Sequence, residues 1–423
     1  MASLLPRRAL VKDGMYKQIE KCRISGSSNL VPVLSLGEQT LTGVFPKAES
    51  EKITKGPLEL VWCPDSGLLQ MKHSYDLNEM YGDNYGYRSG LNASMVRHLA
   101  QKVRFLEGLV SLKSDDIVVD IGSNDATTLK SYLSPCRKVG IDPTGNKFRQ
   151  YYNSEIVLFP EFFSAEIFMA AFPKEKAKII TSIAMFYDLE NPAAFVRDIE
   201  SILAPDGIWH FEQSYMPSML QTKSYDTICH EHLEFYSFKV IMSLLGSCNM
   251  RVLDVQMNGV NGGSFAVTAC KINSKHKSNL PMINWLLNQE IEMGLDTPKP
   301  YRDFEDAVYR HRKNLRDLIE ALVDDGKKIL GYGASTKGNV LLQFCGITRE
   351  HLPYIAELNE QKFGCFTPGT LIPIISEQEA RAMKPDYFLV LPWHFKSGIL
   401  EREKEFLAGG GKFIFPLPEI EIV

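Results

Sequence analysis

The chain has no excess charge of either sign: 47 Lys and Arg face 51 Asp and Glu among 423 residues. No one-signed field is expected to gather nucleic acid or an anionic membrane. No window approaches the roughly 18 uninterrupted apolar residues of a membrane helix, and the opening MASLLPRRALVKDG has too short an apolar run for a signal peptide. A cytoplasmic location is expected. CxxC pairs are absent, and Cys22, Cys63, Cys136, Cys229, Cys248, Cys270, Cys345 and Cys365 stand apart, as reduced thiols and not as a disulfide framework. The chain also lacks the GKS or GKT order of a Walker A loop and the HExxH of a zinc protease.

What is present is 44% hydrophobic content, enough for two or three domains with buried cores. The first 70 or so residues hold short β-rich pieces, VPVLSL and LELVWC, broken by Gly and Pro, and suggest a small appended module. An amphipathic run, SMVRHLAQKVRFLEGLVSL, then precedes DDIVVDIGSNDATTLKSYL and KVGIDP. Strand, Gly turn, helix and a second strand ending in an acid form the opening unit of a nucleotide-binding α/β sheet. Two long helical patterns, starting NLPMINW and YRDFEDAV, are expected to bridge two sheets. A second strand, turn and helix unit, KKILGYGASTKGNVLLQF, follows them.

In DIGSND, Gly122 follows a strand ending in Asp120, and the next strand ends in Asp142. A glycine there lets a ligand approach the backbone, and the distant acid can accept from ribose hydroxyls. Asn124 and Ala126 stand where further glycines would be, which disfavours a pyrophosphate-straddling GxGxxG and points from NAD towards S-adenosylmethionine (SAM), an amino-acid nucleoside without a pyrophosphate. In GYGASTKGN, Gly333, Ser335, Thr336, Lys337 and Asn339 open a helix. Backbone N–H groups, two hydroxyls and a lysine there make an anion cradle, read as holding a diphosphate of the substrate. Glu357 ends a later strand where it could reach a ribose.

The stretch TICHEHLEFYS sets His230, Glu231 and His232 side by side. Adjacent residues point in different directions, which disfavours a metal site. General acid–base chemistry asks less: a near-neutral histidine can take a proton from a carbon beside a carbonyl, and neighbouring donors can stabilise the enolate oxygen.

DIGSND, FEQSYMPSML, TICHEHLEFYS, GGSFAV, GYGASTKGN and KFGCFTPGTLIPI, in this order, resemble the SAM-dependent sugar C-methyltransferases, which methylate carbon 3 or 5 of nucleotide-linked 4-ketohexoses. The resemblance implies an α/β fold: a zinc-binding-type module over 16–75, a class I Rossmann-like methyltransferase domain over 76–270, and a Rossmann-like nucleotide-sugar domain over 275–423. It implies His232 as the base, with Glu231 and His230 orienting it or stabilising the enolate, and Lys337 as counter-charge to the pyrophosphate. SAM is expected at Asp120, Gly122, Asn124, Asp142, Phe163 and Ser182. The sugar is expected near Tyr87 and Gln213, and Trp393 and His394 either contact the nucleotide or close the second sheet. The partner is thus a nucleotide-linked ketosugar, and the protein a monomer or homodimer.

The chain also departs from that family. Its CRISG and CPDSG keep Cys22 and Cys63, but Ser25 and Ser66 replace the second cysteine of each pair, so no zinc is expected and packing should hold the module. Cys229 replaces a Tyr before HEH, and Met185 stands where some relatives have His. Two other readings are a degenerate protein that binds a nucleotide sugar without methylating it, and an NAD-dependent sugar-nucleotide enzyme.

Overall fold

The computed structural model describes residues 16–80 and 88–423, the side chains of Leu77 and Asn78 excepted. Among the described residues no helix is long and apolar enough to cross a membrane.

The largest sheet has seven strands: β1 (Ile117–Ile121), β2 (Arg137–Ile141), β3 (Ile156–Phe159), β4 (Ala177–Ile183), β5 (Leu203–Ser214), β6 (Met250–Asn258) and β7 (Ser264–Lys271). Their order is 3-2-1-4-5-7-6. Strands β1 to β5 are parallel, and β7 runs antiparallel between β5 and β6. All five residues of β1, IVVDI, are buried, as expected of a parallel strand covered on both faces. Helix Ala93–Leu109 covers one face through Leu99, Val103 and Leu106 at helical spacing. The order of the strands reverses between β1 and β4, and open α/β sheets bind ligands at the carboxyl ends beside such a reversal.

A second sheet runs Ile374–Ser376, Ile355–Glu357, Ile329–Tyr332, Tyr387–Val390, Lys412–Phe415 and Glu421–Ile422. Only its last strand is antiparallel. The two long helices divide between the sheets instead of bridging them: Leu280–Glu292 sends Ile283 and Leu286 into the core of the seven-stranded sheet. Lys299–Asp324 joins the other core through Tyr301, Phe304, Val308, Leu315 and Ile319.

The N-terminal strands Val31–Thr40, Lys55–Trp62 and Leu69–Met71 form an antiparallel sheet whose fourth strand, Glu234–Phe235, begins one residue after HEH. So small a stretch buries little surface alone, and its apolar face shares one continuous core with helix Lys299–Asp324 and the second sheet. Trp62 stacks on Tyr301 with ring centroids 4.8 Å apart. Gln343 also clasps the backbone of Thr40, accepting from its N–H at 2.8 Å and donating to its carbonyl at 3.1 Å. The module is therefore built into the rest of the chain and not merely appended to it.

Candidate active site

A cavity of 460 Å³ lies at the carboxyl ends of β1, β4 and β5 and reaches across to the start of helix Thr336–Cys345. That volume suits a small-molecule site.

The Gly turn forms one wall. Gly122 has φ +72°, and a Cβ there would lie 3.2 Å from Met185 Cγ. Asn124 and Ala126 hold left-handed backbone too, at φ 49° and 61°. The glycine-like turn therefore persists after its glycines are gone. Asn124 is anchored by donating its N–H to Asp142 Oδ2 at 2.7 Å and accepting from the Ser89 N–H at 3.0 Å. Asp142 also accepts the N–H and hydroxyl of Thr144, at 2.7 and 2.6 Å. Asp120, buried and bonded by the Thr181 hydroxyl at 2.5 Å, has its carboxyl pushed up to about 7 by burial.

At the end of β5, Glu212 accepts from Lys102 at 2.8 Å and Asn258 at 2.7 Å, and pairs with His98. Burial works against its charge, but the bonds and charges of His98 and Lys102 prevail and hold the carboxyl down at about 2. Its neighbour Gln213 lines the cavity with neither amide atom bonded, although the side chain is only 2% exposed. A buried amide without a hydrogen-bond partner beside a cavity is a candidate binding group.

The HEH stretch splits as adjacent residues must. Glu231 and His232 line the cavity and His230 does not. His232 Nδ1 lies 2.8 Å from the Thr227 carbonyl oxygen. A carbonyl only accepts, so Nδ1 carries the proton and Nε2 keeps its lone pair. Burial, aided by the Lys337 charge, lowers the imidazole to about 4, leaving it neutral at ordinary pH. Burial raises the Glu231 carboxyl. Its Oε1 approaches the N-terminal module so closely that a Cβ on Gly43 would stand 2.2 Å away. His230 packs edge-on against Tyr75 at 4.6 Å, and burial holds it at about 3 against the backbone contacts of Gln39 and Gly56.

From the second Gly turn only Thr336 and Lys337 reach the cavity. The Lys337 ammonium donates to the Asn261 carbonyl at 3.0 Å. Gly333, at φ +82°, is closely backed by Pro392, Ser335 caps the helix by accepting from the Gly338 N–H, and Asn339 is fully buried and donates to Thr42 O at 2.8 Å. Glu357 braces the turn through the N–H groups of Ala334, Leu358 and Asn359 and does not line the cavity.

The sequence-stated residues thus divide by place. Asp120, Gly122, Asn124, Asp142, Phe163 and Gln213 meet Glu231, His232, Thr336 and Lys337 around one space. Ser182 instead accepts from the buried indole of Trp209 at 2.8 Å, and Trp393 donates to Asp226 at 2.8 Å, tying the HEH loop to the second sheet. Tyr87 lies outside the described residues.

Sequence reading missed Arg23. Its guanidinium approaches Glu234, two residues past His232, at 3.6 Å, with both side chains buried, and donates to the Met71 carbonyl at 2.6 Å. Nothing local in CRISG marks that long-range pairing.

Cys22, Ser25, Cys63 and Ser66 do converge. Cys22 Sγ lies 3.2 Å from Ser66 Oγ, and Cys63 Sγ 3.7 Å from Ser25 Oγ. Two thiols and two neutral hydroxyls do not suit zinc, which asks for thiolate, imidazole or carboxylate. Among the described residues no group of three or more His, Cys, Asp or Glu side chains could hold a metal.

The cavity does suit SAM. The bare turn at Gly122, acids at the ends of β1 and β2 and the rings of Phe162 and Phe163 offer a close backbone, acceptors and an apolar slot.

Residues 22–81 match a family described as a zinc binding domain, 91–254 a methyltransferase domain, and 259–418 a C-methyltransferase C-terminal domain. Over 413 residues the chain is 31% identical to C-methyltransferase NovU of Streptomyces niveus, an alignment covering 97% of this chain and 98% of that one. Magnesium protoporphyrin IX methyltransferase of Synechocystis PCC 6803 with bound SAH aligns at 13% identity and TM-score 0.34, over 45% of this chain and 90% of that one. The plantazolicin methyltransferase BpumL in complex with SAH aligns at 12% and 0.34, over 43% and 87%.

Proposed function

Because this chain belongs to the C-methyltransferase family, a SAM-dependent group, we propose that it methylates the carbon beside the C4 ketone of a nucleotide-linked 4-keto-(deoxy)hexose, with His232 as the base. The observation that carries this reading is a neutral imidazole whose Nδ1–H is committed to the Thr227 carbonyl and whose Nε2 is left to serve a cavity shared with the Gly122 turn.

His232 Nε2 takes the proton alpha to the ketone. The C–H electron pair becomes the carbon–carbon double bond, and the carbonyl π pair moves to oxygen, giving an enolate whose carbon is the nucleophile. Bound SAM supplies an electrophilic methyl on sulfonium sulfur. Glu231, whose carboxyl burial favours in the protonated form, can donate to the sugar or hold its orientation. Asp120, Gly122, Asn124, Asp142 and Phe163 are assigned to the cofactor and Gln213 to the sugar. The nucleotide is assigned to the C-terminal part, residues 275–423, beside Thr336. His230, turned towards Tyr75, is assigned to holding the loop. Eight free cysteines suit a reducing cytoplasm.

The test is mass spectrometry of dTDP-, UDP- and GDP-linked 4-keto-6-deoxyhexoses incubated with the protein in deuterated water, with and without SAM. A methyl gained only with SAM, located on carbon by NMR, supports the reading. Binding of a sugar nucleotide without methylation or deuterium uptake would replace it with the binding-protein reading.

A further inference from the structure

Lys337 is a half-buried cation on the cavity wall with an incomplete set of partners. Its ammonium has three N–H donors, and its one hydrogen bond among the described residues goes to the neutral Asn261 carbonyl at 3.0 Å. Asp226 is near enough to favour its charge, but Asp226 Oδ2 accepts from the Trp393 indole at 2.8 Å and makes no ion pair with Lys337 within 4 Å. The remaining groups whose charges act on or feel Lys337 are the Cys229 thiol and the imidazoles of His232 and His394. None of them is an anion in its ordinary protonation state here: burial raises the thiol and lowers both imidazoles. A charge withdrawn this far from water is normally paired, and with donors left over on a cavity wall this one is prepared for an anion that comes with the ligand.

Position distinguishes which anion. Lys337 lines the same cavity as Cys229, Glu231 and His232, and its charge reaches the His232 ring. Ser335 and Gly333, the parts of the turn that would cradle a diphosphate, lie away from that cavity wall. Resting on the function proposed above, we infer that Lys337 is a catalytic residue whose ammonium hydrogen-bonds the ketone oxygen and stabilises the negative charge that oxygen gains when His232 removes the alpha proton, and that it does not serve as the counter-charge of the diphosphate. The proton goes from carbon to His232 Nε2, the electron pair ends on the oxygen, and Lys337 keeps all three of its protons throughout.

The experiment compares wild type with Lys337→Met and Lys337→Arg, using the ketosugar nucleotide that wild type labels best. Deuterium uptake at saturating sugar, without SAM, reads proton removal, and calorimetry with the matching nucleoside diphosphate alone reads diphosphate binding. Losing one donor to a developing oxyanion lowers rates by about 10²–10³-fold, so Lys337→Met should lose that much of the exchange rate while its affinity for the nucleoside diphosphate stays within about twofold. Lys337→Arg keeps the charge and should recover part of the exchange, which a purely structural lysine would not predict. Should the Met variant fail to fold, the Arg variant carries the same two readouts. A nucleoside diphosphate bound at least tenfold more weakly, with saturated exchange unchanged, would overturn the inference and return Lys337 to the diphosphate. If wild type itself exchanges no ketosugar proton, the proposed function fails and takes this inference with it.

Discussion

His232 and Thr227 form a fixed pair: the ring's Nδ1–H is spent on a backbone carbonyl 2.8 Å away, so the imidazole has one tautomer and its other nitrogen is left for the cavity. His232→Gln should lower methyl transfer and deuterium uptake by about 10²–10⁴-fold, the usual worth of a positioned base. SAM affinity and the melting temperature should change little, as calorimetry and circular dichroism would show.

Both limbs of the pH profile should be displaced towards lower pH. The imidazole, lowered to about 4, stays unprotonated as pH falls past the ordinary histidine value near 6.5, and the base is lost only as pH drops through about 4. Lys337 is lowered as well, so its charge is lost as pH rises to a value below the ordinary lysine range. Measured as kcat/KM, the acid limb should lie near 4, and Lys337→Met should remove the alkaline limb and leave the acid one.

Gly43 belongs to the N-terminal module yet leaves room for Glu231 Oε1, which would stand 2.2 Å from an added Cβ. Gly43→Ala should displace that carboxyl and lower kcat by about 10–10²-fold, as misplacement near 1 Å does. SAM binding, assigned to the Gly122 turn, should persist.

Arg23 faces Glu234 with both side chains buried. Removing one member of a buried pair strands the other, so Arg23→Met should destabilise the protein by about 3–5 kcal/mol in urea unfolding. Arg23→Met with Glu234→Gln should recover part of the loss, since no full charge is then left buried.

The crossed thiol–hydroxyl contacts of Cys22 with Ser66 and Cys63 with Ser25 keep a four-sided arrangement with two weak members. Ser25→Cys with Ser66→Cys should bind one zinc per chain by plasma emission spectroscopy, while wild type should hold no stoichiometric zinc.

The sequence displayed what is local. IVVDIGSND announces a buried strand and its turn, and β1 with Gly122 follows it. Asn124 and Ala126 in place of further glycines could be read against a GxGxxG, but not as showing that the backbone would still take φ of 49° and 61° at those residues. Tertiary anchors such as Asp142 outweigh a local penalty of about 1–2 kcal/mol. Residue type could mark Ser182, Ser335 and Asn339 as ligand groups, but not that an indole, a helix end and the Thr42 carbonyl would claim them first. The pairing of Glu234–Phe235 with Leu69–Met71 was equally hidden, because so short a strand has no periodicity to read.

That short strand has a consequence for the order in which the molecule is made. During synthesis the first three strands of the N-terminal sheet leave the ribosome long before Glu234 and Phe235 exist, and until then the Leu69–Met71 edge has no neighbour on its outer side. Closing that edge draws in the residues just before it, with the Met71 N–H bonding the Leu233 carbonyl at 2.8 Å. The outer edge of the sheet can therefore close only after Phe235 has been made, and closing it brings the adjoining HEH stretch alongside the N-terminal module.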